Sequence, residues 1–564
     1  MIKHLSHRIF AISMIILLYG TCFIPLSNTQ IVNQYYDQPQ KTINGLILFG
    51  PIYSLKTYLI DKTGAIYHTW SSNNFPGESV YWLDNGTILR AIKVNLTGLG
   101  GSGGGVQKIL WDGTITWDFT YCTNEHQSHH DIEPLPNGNV LIIAFEKKTQ
   151  TEIIAAGGNP KNYIADTYLP DYIIEVKPTG LTTGDIVWEW HYWDHLIQDY
   201  DSLKDNYGIV GNHPELVDIN YIPHPAIDLM HTNSIDYNEK FDQILISVRN
   251  YNEIWVIDHS TTTEDATSHN GGNSGKGGDL LYRWGNPAAY RAGNPSNQKL
   301  FQQHDAKWID EGCPGAGNIL VFNNGIKRPD GDFSSVDEII PPIDENHEYY
   351  LETGSAYGPI EQTWIYTANP PESLYSRGQS GAERLANGNT IICSGEQGKI
   401  FEVTPNSTTL WTYTNTYPTL LRNKLFKFVY IPLEEVPDQP PNKPTITGET
   451  NGKIGQNYTY ITSTIDPNGD QVYYNWSWGD GTYTGWIGLY DSGKTVSQSH
   501  SWNSKGSYSV KVQAKDVSGA ESDWSLPLEV NMPKTYVYNP LMRLIFKVLE
   551  RFPFFEKILK QIIL

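Results

Sequence analysis

The stretch Leu229-Met-His-Thr-Asn-Ser-Ile-Asp236 leads into Gln243-Ile-Leu-Ile-Ser-Val-Arg249. Apolar residues alternate from Ile244 to Val248, the pattern of a half-buried β-strand, with His231 ahead of it and Arg249 at its far end. The arrangement recurs. His130-Asp131 precedes Leu135-Pro-Asn-Gly-Asn-Val-Leu-Ile-Ile143, and His304-Asp305 precedes Gly317-Asn-Ile-Leu-Val-Phe322. Three histidines at similar places before three strands, far apart in the chain, are expected when a repeated unit aims one side chain per copy at a common centre.

A second repeat runs through the same region. Short segments that end on Trp recur as Gly64-Ala-Ile-Tyr-His-Thr-Trp70, Gly113-Thr-Ile-Thr-Trp117, Gly184-Asp-Ile-Val-Trp188, Gly278-Asp-Leu-Leu-Tyr-Arg-Trp284, Ile360-Glu-Gln-Thr-Trp364 and Ser407-Thr-Thr-Leu-Trp411. Leu-x-Asn-Gly hairpins stand at Leu83–Gly86, Leu135–Gly138 and Leu385–Gly388, where Asn-Gly is expected to supply the positive φ angles of a tight turn. Many short strands, long insertions and almost no helical periodicity predict an all-β chain with a six-bladed β-propeller over 45–432. Counting back from the hairpins aligns Glu78, His130 and Ser380, with His231 and His304 at comparable places. These five are expected at one mouth of the central channel.

Composition sets the outer bounds. The chain has 564 residues and a formal charge of −21, which argues against nucleic-acid binding and requires a local cationic pocket for any anionic substrate. Residues 1–30 carry Lys3 and Arg8 before an apolar run, the pattern of a secretory signal or N-terminal anchor, so an extracytoplasmic location is expected. After signal removal Cys122, Cys313 and Cys393 remain, too widely spaced for a zinc motif and expected to be small core residues.

The run from His231 through Asn250-Tyr-Asn-Glu-Ile-Trp-Val-Ile-Asp-His-Ser-Thr-Thr-Thr263, Gly277-Gly-Asp-Leu-Leu-Tyr-Arg-Trp-Gly-Asn-Pro287, Gln303-His-Asp-Ala306 and Gly317-Asn-Ile-Leu-Val-Phe-Asn-Asn-Gly325 resembles the arylsulfotransferases. These are propeller enzymes that pass a sulfuryl group between phenols without a nucleotide sulfate donor. The resemblance implies that His304 is transiently sulfurylated, that His130 and His231 support it, that Arg249 binds the sulfate and that Asn233 lies nearby. It implies small-molecule partners, an aryl sulfate and a phenol, and no metal or other cofactor.

The chemistry suits those residues. The transferred group spreads charge over its oxygens in a loose transition state, as in phosphoryl transfer, so donors must surround it. Arg249 can fork two N–H groups to it, and a neutral His304 offers a ring nitrogen as nucleophile. Asp305 or another carboxylate is expected to fix the His304 tautomer, and either His231 or His130 to serve as acid and base. Two other classes fit a histidine-lined propeller: a metal-dependent lyase or hydrolase, and a non-catalytic cell-surface recognition module. His259 and His269 lie in a polar loop and are expected to face solvent. Gly98-Leu-Gly-Gly-Ser-Gly-Gly-Gly105 reads as a flexible lid, and Gly271–Gly278 lacks the Ser or Thr a P-loop needs after Lys276.

Beyond Pro432 the composition changes. Residues 433–444 form a proline-rich linker. Tyr474-Asn-Trp-Ser-Trp-Gly-Asp-Gly481, His500-Ser-Trp502 and Gly506-Ser-Tyr-Ser-Val-Lys-Val512 resemble a PKD domain, a small immunoglobulin-like β-sandwich expected over 445–532 with Asp480 in a turn. Residues 539–564 place Leu541, Leu544, Ile545, Val548 and Phe552 at helical spacing among Arg543, Lys547 and Arg551. A basic amphipathic helix there is expected to contact a membrane surface or pack on a partner.

Overall fold

The computed structural model describes residues 44–94, 103–222, 227–344 and 347–533, together with Thr42, Leu544 and Lys547. The N-terminal leader 1–30 lies outside the described residues, as does the helical tail 539–564 apart from Leu544 and Lys547. The chain forms two compact units, Met1–Glu435 and Val436–Leu564.

The described residues of the first unit hold six four-stranded antiparallel sheets that follow one another in chain order. The first strands of the second to sixth sheets are Pro76–Trp82, His126–Pro134, Thr232–Asn238, His304–Trp308 and Gly381–Arg384. The first sheet is completed from the other end of the unit, where Val429–Pro432 pairs with Gly45–Phe49. Closure by the last strand ties the ends of this unit together and removes two free sheet edges.

The tryptophan repeats explain how neighbouring sheets are held. All six, Trp70, Trp117, Trp188, Trp284, Trp364 and Trp411, stand on the fourth strand of a sheet. Each indole N–H donates to the next sheet: to the carbonyl oxygens of Leu110 (3.1 Å), Thr183 (3.0 Å), Pro359 (2.8 Å) and Pro405 (2.9 Å), and to Thr261 Oγ1 (3.0 Å). Trp411, on the sixth sheet, returns to the first through Lys62 O at 2.6 Å. The hydrogen bonds therefore run in a closed cycle. Tryptophan suits the position because one side chain fills the gap between sheets and still satisfies its own donor.

Two local expectations change. Gln243–Val248 is buried at every residue rather than on alternate faces, because as a second strand it lies between Thr232–Asn238 and Glu253–Asp258 with other sheets above and below. Gly104 and Gly105 of the supposed lid begin the strand Gly104–Ile109, and a Cβ on Gly105 would lie 2.4 Å from Phe119 O, so glycine serves close packing there. Residues 95–102 of that loop lie outside the described residues.

The second unit is a β-sandwich. Thr445–Thr447, Tyr458–Ser463 and Val496–His500 form one sheet, and Ile487–Tyr490, Val472–Ser477, Gly506–Asp516 and Leu528–Met532 the other. Tyr460, Trp476, Trp502 and Val510 fill the space between them. Asp480 sits in a turn, accepting from Thr482 N and Oγ1.

Candidate active site

The first strand of a sheet carries an irregularity at its entry in four cases. Register shifts fall between Pro76 and Val80, Ser128 and Ile132, Thr232 and Ser234, and His304 and Lys307. Extra residues in one strand kink it and re-aim side chains. Backbone strain gathers at the same four entries, where φ is positive at Glu78 (105°), His130 (53°), His231 (54°) and Asp305 (50°), and again at Ser380 (88°) ahead of the sixth sheet, which has no such shift. Each such residue costs roughly 1–3 kcal/mol, and such strain concentrates at functional sites.

The re-aimed histidines meet. The His130 and His231 rings lie 4.6 Å apart, and Phe426 packs within 6.1 Å of His130 and 6.3 Å of His304. His304 is buried, and its Nδ1 donates to Asn324 Oδ1 at 2.8 Å. That direction is set by Asn324 itself, whose amide nitrogen donates to the carbonyls of Ser376 (2.8 Å) and Gln379 (3.0 Å), so its oxygen can only accept. The His304 proton therefore sits on Nδ1 and the lone pair on Nε2. Burial, with Arg249 nearby as the next cause, depresses the His304 pKa to about 3, which keeps the ring neutral.

The other two histidines have separate partners. His231 Nδ1 lies 2.6 Å from Asp228 Oδ2, and the same carboxylate accepts from the His231 backbone N–H. Burial raises the Asp228 pKa, but the His231 hydrogen bond outweighs it and the net shift is downward, so Asp228 stays ionised. His130 Nδ1 lies 2.8 Å from His129 Nδ1, and His129 Nε2 lies 3.3 Å from Asp171 Oδ1. Burial disfavours an imidazolium at His129, yet Asp171 overcomes it and the pKa rises. His130 moves well down, from burial first and then from His231, His129, His304 and Arg249. With His129 as donor, His130 keeps its own proton on Nε2.

Arg249 stands in a short 3-10 turn directly after Gln243–Val248. Its guanidinium donates to Asn250 Oδ1 (3.2 Å) and Gln302 Oε1 (2.6 Å). Burial pushes its pKa down; the Asp228 carboxylate pulls the other way, and the like charge of Arg377 adds to the fall. Glu78 is buried, and burial raises its carboxyl pKa against the pull of Lys93 and His231.

Three expected roles change. Asp305 turns away from His304, accepting from Ala382 N at 3.2 Å and lying 3.5 Å from Lys427 Nζ. Asn324 orients His304 in its place. Asn233 is fully buried and donates to Gln303 O at 2.8 Å, so it positions the segment that carries His304. Ser380 Oγ donates to Ser376 Oγ and accepts from Gly395 N, both at 2.9 Å, which commits it to holding its own loop against the turn after Thr390–Ser394. Nor does His259 face solvent: it bridges Asp242 (2.7 Å) and Glu175 (3.1 Å), and these carboxylates, outweighing burial, lift its pKa to about 9.

Asp228, Asn324 and Lys427 were not singled out in the sequence, whereas His129 was read beside His130 as a loop or supporting residue. The signal for Asp228 was its place three residues ahead of His231. Asn324 stood in the Asn-Asn-Gly that ends a repeat strand. Lys427 gave none, since its partner Asp131 Oδ2, 2.8 Å away, stands 296 residues earlier in the chain.

Comparison with known proteins bears on both units. The PKD domain family matches residues 438–530. The chain is similar to the PKD domain of an M14-like peptidase from Thermoplasmatales archaeon SCGC AB-540-F20, at 52% identity over 17% of this chain and 99% of that one, with a TM-score of 0.17. It is also similar to the PKD domain of the human VPS10 domain-containing receptor SorCS2, at 19% identity over 18% of this chain and 79% of that one, with a TM-score of 0.14. No curated protein matches the chain. The arylsulfotransferase (ASST) family matches residues 32–418, which takes in every histidine and arginine of the site, and the chain therefore belongs to the arylsulfotransferase family.

Proposed function

We propose that the six sheets are the blades of a β-propeller and that its histidine-lined end moves a sulfuryl group from an aryl sulfate to a phenol through a sulfurylated His304. The observation that carries this reading is the fixed tautomer of His304, neutral, with its Nδ1 proton on Asn324 and the lone pair therefore on Nε2.

In the first half-reaction Nε2 attacks sulfur, the N–S bond forms and the S–O(aryl) bond breaks. The phenolate takes a proton from His231, whose Asp228 partner stabilises the protonated ring. His130 does not fill this role, because burial and its cationic neighbours keep its ring neutral, with no imidazolium proton to give. Its Nε2–H and the Arg249 guanidinium donate to the sulfuryl oxygens, where each well-placed donor is worth about 3 kcal/mol of barrier. In the second half-reaction neutral His231 accepts the proton of an incoming phenol, whose oxygen attacks sulfur and frees Nε2.

Purified protein incubated with a chromogenic aryl sulfate and a chelator should release phenolate faster when a phenol is added. No release across a panel of donors and acceptors contradicts the transferase and favours a recognition module. The leader pattern in 1–30 supports an extracytoplasmic enzyme, and the basic amphipathic pattern of 539–564 supports contact with a membrane surface. Among the described residues no helix is long and apolar enough to cross a membrane.

A further inference from the structure

A second cluster of metal-ligating side chains lies apart from the histidine ring. His195 belongs to the long connection between the third and fourth sheets, while His269 and Asp279 belong to the loop between Glu253–Asp258 and Tyr282–Trp284. One ligand atom from each lies within 4.8 Å of the others, and among the described residues no other group of three does so.

The hydrogen bonding of His195 is unusual. Its ring is fully buried and stacked on Trp190 at 5.5 Å. Nε2 lies 2.9 Å from the Ala266 carbonyl oxygen, which can only accept, so that nitrogen carries a proton. Nδ1 then faces Asp279 Oδ1 at 2.9 Å, and in a neutral ring it is a lone pair against a carboxylate. A cation must stand between them, either a second proton or a metal ion. His269 Nδ1 reaches the same oxygen at 2.8 Å from the solvent side.

A backbone carbonyl holding the far N–H of an imidazole is the arrangement that orients a metal-ligating histidine. The glycine-rich loop provides the room. Positive φ at Gly271, Gly272, Gly275 and Gly277 curls the loop so that His269 returns onto Asp279. A Cβ at Gly278 would lie 2.6 Å from His195 Nε2, so glycine is needed for the ring to seat. The cluster opens on a cavity of about 810 Å³ whose wall includes His269, Asp279, His213, Glu215 and Tyr349, and no histidine of the ring.

We propose that His195 Nδ1, His269 Nδ1 and Asp279 bind a divalent metal of the zinc class, with the open coordination position toward this cavity. Two imidazoles and a carboxylate suit zinc, and opening the present contacts by about 0.5 Å accommodates its roughly 2.0–2.2 Å bonds. The ion joins the connection before the fourth sheet to the loop within it, as a staple independent of sulfuryl transfer.

The test is metal retention and thermal stability of the full chain after dialysis against micromolar zinc chloride, compared with His269→Ala and Asp279→Asn. His269 is more than half exposed on its side chain, so its replacement should leave the fold intact, checked by circular dichroism. The proposal predicts about one zinc per chain, a higher Tm with zinc than with chelator, at least tenfold weaker binding in both variants, and unchanged sulfuryl transfer in chelator. Wild-type protein that retains no zinc overturns it, leaving a His195 imidazolium paired with Asp279. So does equal retention in the folded His269→Ala protein.

Discussion

His304 titrates at about 3 in the folded chain, against roughly 6.5 for an unfolded histidine. Between those values the unfolded chain binds the extra proton, so stability rises with pH across that window and is lost as pH falls through it. His130 shifts in the same direction, whereas His129, held up by Asp171, works against it. Replacing His304 by Gln should flatten the dependence of Tm on pH between about 6 and 4. A profile parallel to the wild type contradicts the buried neutral ring. Asn324→Ala should lower kcat by roughly tenfold or more with little change in KM, since it frees the His304 tautomer without touching substrate. Arg249→Ala should raise KM and slow transfer by about 10²–10³, with an unchanged melting curve. These roles were only partly legible in the sequence. Histidines ahead of strands and an arginine after one were visible as a pattern, whereas Asn324 became meaningful only once a turn had folded its oxygen onto His304. Asp305 misled because sequence adjacency places alternate strand residues on opposite faces.

At the scale of the elements, the Trp repeats were the strongest sequence signal, because one residue type performs one task six times. Their recurrence marked short strand-like segments without showing that these are the fourth strands or that each indole reaches the next sheet. Trp411→Phe removes the bond that closes the cycle at Lys62 O and puts a smaller ring in place of the indole that lies 4.4 Å from the Lys62 ammonium. It should cost about 1–2 kcal/mol, read from urea denaturation. The bulges were not legible, since an extra residue interrupts the alternation from which a strand is read. Lys427, just ahead of the closing strand, lies fully inside the first unit between Asp131, Asp305 and Tyr81. Burial opposes its charge, but the two carboxylates outweigh it and its pKa is raised. Lys427→Met strands two buried carboxylates and should cost about 3–5 kcal/mol, partly recovered by adding Asp131→Asn. A loss within 1 kcal/mol would show that the network carries little.

For the whole molecule, the division at residues 435 and 436 was visible as a change to proline-rich composition, and every residue of the candidate site falls before it. A chain ending at residue 435 should therefore fold and retain sulfuryl transfer within about twofold, whereas one ending at 428 loses Val429–Pro432, leaves the first sheet three-stranded and should not fold. The formal charge of −21 makes association with an anionic aryl sulfate depend on the local cations Arg249 and Arg377, so kcat/KM should respond to Arg377→Ala more at low salt than at high salt.

The most direct test of the central claim is mass spectrometry of the His304 peptide after brief mixing with an aryl sulfate and no acceptor. The account predicts a sulfuryl adduct on that histidine, formed with the burst of phenolate and discharged when a phenol is added. Phenolate release without an adduct, or undiminished turnover in His304→Ala, would contradict it.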